Sequence, residues 1–152
     1  MSEALIRAQI KSTLEAVSGI GAVHDYRRFK RSIADLLSVM TDADGKINGW
    51  TIHRRSTPQA VATLGRMTWD RVHTYEIMGI YGMDDEGASE IDFQALCDAV
   101  LAAFDGSDNL GGTCRHADPI NLDDCGEWDV SDLGGDVYHA AQFTLTVYER
   151  VT

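Results

Sequence analysis

The stretch from residue 71 to residue 106 constrains the fold more than any other part of the chain. Residues 71–83 (RVHTYEIMGIYGM) are aromatic and β-branched, with apolar side chains at both even and odd positions. This pattern predicts a central strand, covered by helices on one face and wetter on the other. After the acidic turn 84–87, residues 90–105 predict a helix that folds back over this strand. Its apolar stripe consists of Phe93, Leu96, Cys97, Val100, Leu101 and Phe104.

Polar and small residues predict where this helix begins and ends. Ser89 is expected to be its N-cap, and Asp92 stands at the third helical position, where it would complete a variant of the capping box. Gly106 is well placed to end the helix.

The remaining elements indicate the fold class. Two further helices are predicted, at 2–17 and 29–40, and four strands, at 21–26 (short), 47–55, 120–130 and 137–151. Long loops are expected at 56–67 and 107–119, and a turn at 131–136 that contains Gly134 and Gly135. Because strands and helices do not alternate regularly, the order favours an α+β domain. We expect a single domain over residues 1–152, with a mostly antiparallel sheet of about four to five strands and two to three helices packed on one face.

The charge of the chain is divided unevenly along it. Residues 1–75 contain 11 Lys and Arg against 7 Asp and Glu (+4), whereas residues 76–152 contain 2 against 17 (−15), which gives the total of −11. So acidic a chain is not expected to bind nucleic acid through a general basic surface. A protein with one basic and one acidic region can pair head to tail with copies of itself, although the charge can also serve solubility alone.

Hydropathy and cysteine content place the chain in a cellular compartment. No stretch approaches the roughly 18 to 20 apolar residues of a membrane span, and the first residues lack the basic and apolar blocks of a secretory signal. Three cysteines are an odd number, and Cys97 belongs to the predicted buried stripe. Synthesis in the cytoplasm fits best, with no membrane partner.

Two segments resemble metal sites but lack the required ligands. Residues 42–47 (DADGKI) suggest a calcium loop, yet aligning Gly45 with its glycine puts Met40 and Thr51 where strong acidic ligands belong. Cys114, His116 and Cys125 offer zinc ligands, but their spacing fits no closed zinc pattern. We therefore expect no metal and no cofactor.

A catalytic site is not indicated either. Three histidines, His53, His73 and His139, fall on predicted strands and could meet across the sheet, with Glu76 nearby, to bind metal or transfer protons. Isolated strand histidines are more often packing and hydrogen-bonding residues. The chain has no phosphate-binding glycine loop, no nucleophile-elbow motif and no H-E-x-x-H zinc motif.

The opposite charges instead predict an interface between copies of the chain. The basic side consists of Arg54, Arg55, Arg66 and Arg71, on the 56–67 loop and its flanks. The acidic side is the turn before the main helix, with Asp84, Asp85 and Glu86. In an oligomer, the basic loop of one subunit would contact the acidic turn of its neighbour.

The layout of the whole chain resembles the tail terminator and minor tail (tail-completion) proteins of long-tailed bacteriophages. The residues that carry the resemblance are 18–21 (SGIG), 50–52 (WTI), 73–77 (HTYEI), 88–104 and 138–140 (YHA). The resemblance implies a structural virion protein that is made in the host cytoplasm and is not an enzyme. It implies a homo-oligomeric ring, commonly a hexamer, at the head-proximal end of the tail. The implied partners are the tail tube protein and a head-completion or connector protein.

Two other classes of protein remain open on the residues alone. One is a small metal- or ligand-binding α+β enzyme built on His53, His73 and His139. The other is an acidic inhibitor that would bind a basic partner through Asp84, Asp85, Glu86 and the region of Asp123 and Asp124. The first predicts bound metal and a closed pocket, and the second predicts a monomer in a tight heterologous complex.

Overall fold

The computed structural model describes residues 2–28, 30–65, 67–133 and 136–152. Within these ranges the helices are α1 (Glu3–Glu15), α2 (Ile33–Val39) and α3 (Ser89–Asp105). The strands are β1 (Ala22–His24), β2 (Asn48–Ser56), β3 (Gln59–Thr63), β4 (Thr68–Gly82), β5 (His116–Ala117), β6 (Asn121–Asp129) and β7 (Val137–Val151). Short 3-10 turns lie at Leu110–Gly112 and Ser131–Leu133.

The strands form one sheet around two long central members. Its order is β1-β2-β4-β7-β5, with β3 also paired to β4 and β6 also paired to β7. All these pairs are antiparallel except β1 with β2. β4 and β7 pair along almost their whole length, from Trp69 opposite Val151 to Gly82 opposite Tyr138. The predicted α+β class with a mostly antiparallel sheet is confirmed.

One face of the sheet carries the core. Alternation along β4 turns Tyr75 and Ile77 to the same side as Phe143 and Leu145 of β7, and all four are almost completely buried. α1 covers this face with Ile6, Ile10 and Leu14. α3 covers it with Phe93, Leu96, Cys97, Val100 and Phe104, while Leu101 is partly buried against the same cluster. The predicted stripe and the folding of this helix over β4 are therefore confirmed.

Two glycines permit close packing on the two faces of the sheet. A Cβ atom at Gly79 would lie 2.5 Å from the Trp50 ring, so glycine lets this indole lie flat over β4. A Cβ atom at Gly49 would lie 2.5 Å from Met40, which follows α2. Because Gly49 and Trp50 are adjacent in β2, Met40 lies on the face opposite the core. α2 itself has no buried residue, so among the helices of the described ranges only α1 and α3 form the layer over the core.

Several predicted boundaries and loops were wrong. The second helix begins at Ile33 instead of residue 29, because Ser32 caps it by accepting a hydrogen bond from the Asp35 amide; Phe29 lies outside the described residues. The predicted 56–67 loop contains β3, and the 107–119 loop contains a 3-10 turn and β5, so the sheet has seven strands instead of four to five. Gly134 and Gly135 of the predicted turn also lie outside the described residues.

The expected cap of α3 was also wrong. The N-cap position is Ala88, in the left-handed conformation at φ 54°, and it makes no side-chain cap hydrogen bond. Ser89 is the first helical residue, and its hydroxyl is engaged with Asp84 and His139 instead. Asp92 therefore has no capping box to complete. Gly106 does end the helix, in an ordinary right-handed conformation.

None of the helices in the described ranges is both long and apolar enough to cross a membrane.

Candidate functional site

The described basic residues of the predicted interface lie along the half of β4 that leads to the β3–β4 hairpin, which we call the basic end. Arg71 stands near the start of β4, and Arg54 lies opposite Tyr75 at the middle of that strand. Arg54 and Arg55 are exposed where β2 finishes, next to the β3–β4 hairpin. Arg55 Nη1 lies 3.4 Å from Glu76 Oε1, and Arg71 Nε donates a 3.1 Å hydrogen bond to Gln59 Oε1. Arg66, the fourth predicted residue, lies outside the described residues.

The acidic residues follow β4 at its other end and form an exposed turn. The backbone N–H of Gly87 donates to Asp84 Oδ1 at 3.0 Å, so this carboxylate holds the turn together. The Asp84 amide donates to Ser89 Oγ at 2.7 Å, which ties the turn to the first residue of α3. Asp85 and Glu86 are exposed.

The structure separates the two charged groups along β4. A rise of about 3.3 Å per residue puts Arg71 about 36 Å from Gly82, and it puts Tyr75, which lies opposite Arg54, about 23 Å from Gly82. The acidic turn begins beyond Gly82. The two groups therefore cannot pair within one molecule, whereas two copies arranged head to tail can bring them together.

A cleft of about 360 Å³ opens beside the acidic turn. It lies between the first turns of α3 and the paired strands β6 and β7. Its apolar lining is Met83, Ile91 and Phe93, and its carboxylates are Asp85, Glu90 and Glu127. The cleft is thus both apolar and strongly acidic.

His139 and Cys125 complete the lining of the cleft. His139 is buried against the Phe93 ring, with 5.6 Å between ring centroids, and its Nε2 lies 2.8 Å from Ser89 Oγ. Because Ser89 Oγ already accepts a hydrogen bond from the Asp84 amide, the Ser89 hydroxyl can donate its own proton to His139 Nε2. Exposed Cys125 lies beside buried Cys97, where burial first and the neighbouring Cys125 thiol second raise the pKa of Cys97 to about 12. The Cys97 thiol is therefore protonated at neutral pH.

The tip of the β3–β4 hairpin exposes apolar side chains at the basic end. Leu64 is 91% exposed, Met67 71% and Val61 50%. Gly65 and Met67 both have left-handed backbones, with φ of +90° and +48°, which turn the chain tightly between the strands. Neither the hairpin tip nor the cleft was predicted from the sequence. The three large apolar residues in the otherwise polar segment 56–67 could have indicated the tip.

The three histidines do not come together, so the site across the sheet that the sequence left open is not formed. His73 lies on the core face opposite Val147, eight residues and about 27 Å along β7 from His139. His53 lies opposite Glu76, on the face away from the core. His73 is instead fully engaged, with Nε2 2.7 Å from Glu149 Oε2 and Nδ1 3.0 Å from the Thr57 hydroxyl.

The cysteines do not form a metal site with their neighbouring histidine. Cys114 is buried, Cys125 lines the cleft, and His116 Nε2 lies 3.3 Å from an Asp118 carboxylate oxygen. Across the described part of the chain, no three or more His, Cys, Asp or Glu side chains are grouped so that they could hold a metal ion.

Comparison with known proteins adds no relative. No family model matches the chain, and no curated protein matches it. What the protein does must therefore be inferred from the charged ends, the hairpin tip and the cleft.

Proposed function

We propose that this chain is a structural subunit that assembles head to tail with copies of itself into a closed ring. The observation that carries the proposal is the separation along β4 of exposed Arg54 and Arg55 from the acidic turn, by about 23 Å of strand. Each subunit then has one basic and one acidic surface, and each surface can be used by a different neighbour. Such a heterologous contact forms a ring when the rotation between subunits closes.

Charge alone does not hold such a ring together. Exposed ion pairs contribute about 0 to 1 kcal/mol each, so several must act together and apolar contacts must supply most of the affinity. The charges determine which surfaces meet and in which register. Apolar groups are available at both ends of the subunit, with Leu64 at the basic end and Ile91 at the acidic end.

The ring we propose is the one that caps the tail tube of a long-tailed phage and joins the tail to the head. In support of this role, the layout of the chain resembles that of tail terminator proteins. We propose the tail tube protein and a head-completion protein as its partners in the virion, with six subunits as the expected ring.

Native mass spectrometry of the purified protein tests the proposal. We expect a closed oligomer in the parent and loss of that oligomer when Arg54→Glu and Arg55→Glu are combined. Adding Asp85→Lys and Glu86→Lys to the same chain should restore part of the assembly, because the charges again match. Asp84 is left unchanged in this design because its carboxylate accepts the Gly87 amide and holds the turn.

A monomer at every concentration would contradict the ring. It would favour the acidic inhibitor class, in which the acidic turn binds a different, basic protein. A control with Lys30→Glu and Arg31→Glu, two changes of the same kind at exposed positions before α2, should leave the mass of the oligomer unchanged.

A further inference from the structure

We propose that Cys97 of α3 and Cys125 of β6 form a reversible dithiol–disulfide site, which small, positively charged disulfides oxidise through the acidic cleft. The site goes beyond the assembly proposed above and does not depend on it. Both thiols are free in the structure, which is therefore the reduced form. In the oxidised form, a covalent bond joins the main helix of the core to a strand at the margin of the sheet.

Strand register places Cys125 on the core face of the sheet. Cys125 lies opposite Ala141 of β7, and residues directly opposite each other in an antiparallel pair point to the same face. Ala141 is 3% exposed and belongs to the core, as do Phe143 and Leu145 further along β7. The Cys125 side chain therefore points to the side that α3 covers. It stays exposed because β6, which among the described strands pairs with β7 alone, lies at the margin of the sheet.

The buried stripe of α3 brings Cys97 to the same region. Cys97 stands one helical turn after Phe93, and each of the two side chains is 1% exposed in the core. Phe93 and Cys125 line the same cleft, together with Gln94. The Cys125 thiol is also close enough to Cys97 to raise the pKa of that thiol, second only to burial. The two thiols are thus neighbours between α3 and β6.

The different exposure of the two thiols gives them different roles. Cys125 is open to the cleft, where a reagent in solution can reach it, whereas Cys97 is enclosed in the core. Burial first and the neighbouring Cys125 thiol second raise the pKa of Cys97 to about 12. Because the thiolate is the nucleophile, protonated Cys97 does not react first. Cys125 is therefore the attacking thiol and Cys97 the resolving thiol.

Oxidation of the pair takes two thiol–disulfide exchanges. The Cys125 thiolate attacks one sulfur of the reagent, whose S–S bond breaks and releases one thiol. Cys97 then loses its proton to water and attacks Cys125 Sγ in the mixed disulfide, which releases the second thiol. The protein loses two hydrogens, and the reagent disulfide is reduced to two thiols.

Carboxylates in the cleft determine which charge the reagent carries. Asp85, Glu90 and Glu127 line the cleft with Cys125, and Glu127 stands two residues after Cys125 on the same face of β6. A cleft of one charge concentrates reagents of the opposite charge and repels those of its own. We expect cystamine, which carries two amines, to react at least about tenfold faster than the negatively charged glutathione disulfide at low salt. The ratio should fall at about 1 M salt, where the charges are screened.

Peptide mapping of the full chain after treatment with cystamine tests the site. The tryptic peptide 72–115 contains Cys97 and Cys114, and the peptide 116–150 contains Cys125. We expect a disulfide to join these two peptides within one chain, which stays monomeric on a non-reducing denaturing gel. Free thiols counted in urea should fall from three to one, and dithiothreitol should restore all three. The oxidised protein should unfold at a higher urea concentration than the reduced protein, because the bond constrains the unfolded chain.

Three matched variants assign the bond to this pair. Cys114→Ala removes the other thiol of peptide 72–115 and should leave the cross-link unchanged. Cys97→Ala should stop the reaction at the mixed disulfide on Cys125, seen as an added half of cystamine in the mass of the intact protein. Cys125→Ser changes an exposed position and should leave both remaining thiols free.

Several outcomes would overturn the site. A cross-link that includes Cys114, a disulfide between two chains, or a reaction of the parent that stops at the mixed disulfide on Cys125 would each do so. Three thiols that stay free in excess cystamine would do so as well. Equal rates with cystamine and glutathione disulfide would overturn the selection by the carboxylates. The ring is tested separately, by the mass of the reduced protein, so either proposal can fail alone.

Discussion

A buried ionisable pair joins the two longest strands. His73 on β4 and Glu149 on β7 are almost completely buried, and Nε2 and Oε2 lie 2.7 Å apart. The Thr57 hydroxyl, from the connection between β2 and β3, lies 3.0 Å from His73 Nδ1. Because a buried polar group is costly only when it lacks a partner, these contacts make the pair tolerable inside the core. The same contacts fix the base of the hairpin to the sheet.

Removing one member of this pair should destabilise the protein more than removing both. We expect His73→Ala to lower the free energy of unfolding by about 3 to 5 kcal/mol, because it leaves the Glu149 carboxylate buried without its partner. The double variant His73→Phe with Glu149→Leu should recover much of this loss, since it leaves neither member of the pair buried without its partner. Urea unfolding of the three proteins measures the difference. Equal stability of His73→Ala and the parent would show that the pair is open to water.

Glu3 at the start of α1 connects pH to stability. Burial opposes ionisation of this side chain, but the hydrogen bond and charge of Arg7 and the hydrogen bond from Tyr75 lower its pKa overall. Arg7 Nε donates to Glu3 Oε1 at 2.9 Å, and the Tyr75 hydroxyl donates to the same oxygen at 3.1 Å. Burial, followed by the Glu3 charge, raises the pKa of Tyr75, which therefore keeps its proton at neutral pH.

We expect Glu3→Gln to lower the free energy of unfolding by about 1 kcal/mol at pH 7. A depressed carboxyl pKa stabilises the fold above the ordinary value of 4.5, and this stabilisation is lost as pH falls through the folded-state value. The parent and the variant should therefore converge in acid. Denaturant unfolding from pH 7 downward checks this. Glu15→Gln, whose partner Lys11 is 3.9 Å away on the exposed side of the helix, is the control and should have little effect at any pH.

At the scale of elements, α3 is the main contributor to the core over the sheet. Its Phe93 ring packs against both Trp50 and Tyr81, at 6.3 Å and 5.5 Å between centroids. Leu96→Asp would put a carboxylate into this buried layer, a cost of several kcal/mol that is comparable to the whole stability of a small domain. We expect this variant to be insoluble or unfolded. Ile91→Asp, on the exposed side of the same helix, should express and melt like the parent in circular dichroism.

Elements with a repeating apolar pattern could be predicted from the sequence, and elements created by pairing could not. β4, α3 and β7 each alternate or repeat over many residues, and all three were found where expected. β3 is exposed along most of its length, so it has no buried side to produce a pattern, and only its pairing with β4 makes it a strand. Serine is a common N-cap residue, but the Ser89 hydroxyl is hydrogen-bonded to His139 in the folded protein and does not cap α3.

The arrangement of the three histidines could not be predicted for a related reason. Residue types showed that His53, His73 and His139 belong to strands, which is correct for all three. Whether they meet depends on strand register and on which face each one occupies, and a shift of one residue exchanges the faces. Neither quantity could be read from the spacing of the three residues.

At the scale of the whole molecule, charge could be predicted from the sequence but its arrangement could not. The arginines near residue 55 and the acidic turn near residue 85 are separated by about thirty positions, which does not set their distance in the fold. The distance follows from strand register. Arg54 lies opposite Tyr75, and seven residues of unbroken β4 lead from Tyr75 to Gly82 before the acidic turn begins. The hairpin tip and the cleft were missed because each is formed by residues that come together only through pairing or tertiary packing.

Salt should separate the roles of charge and apolar contact in assembly. Raising the salt concentration from about 0.1 M to about 1 M shortens the screening length from about 10 Å to about 3 Å. The attraction between the arginines of one subunit and the carboxylates of the next should then act only at contact. The apolar contacts between subunits should persist, since salt does not screen them. We therefore expect assembly to become at least about tenfold slower at 1 M salt, while the final oligomer keeps its mass.

Light scattering after dilution from denaturant measures the rate, and native mass measures the end state. The Arg54→Glu and Arg55→Glu variant should assemble poorly at low salt and recover partly at 1 M, because screening removes the repulsion that the change introduced. Leu64→Asp should gain little from salt, since its defect is lost apolar contact. An oligomer of the parent that dissociates at 1 M salt would mean that charge supplies the affinity itself. A rate that does not change between the two salt concentrations would mean that the separated charges serve solubility and not assembly.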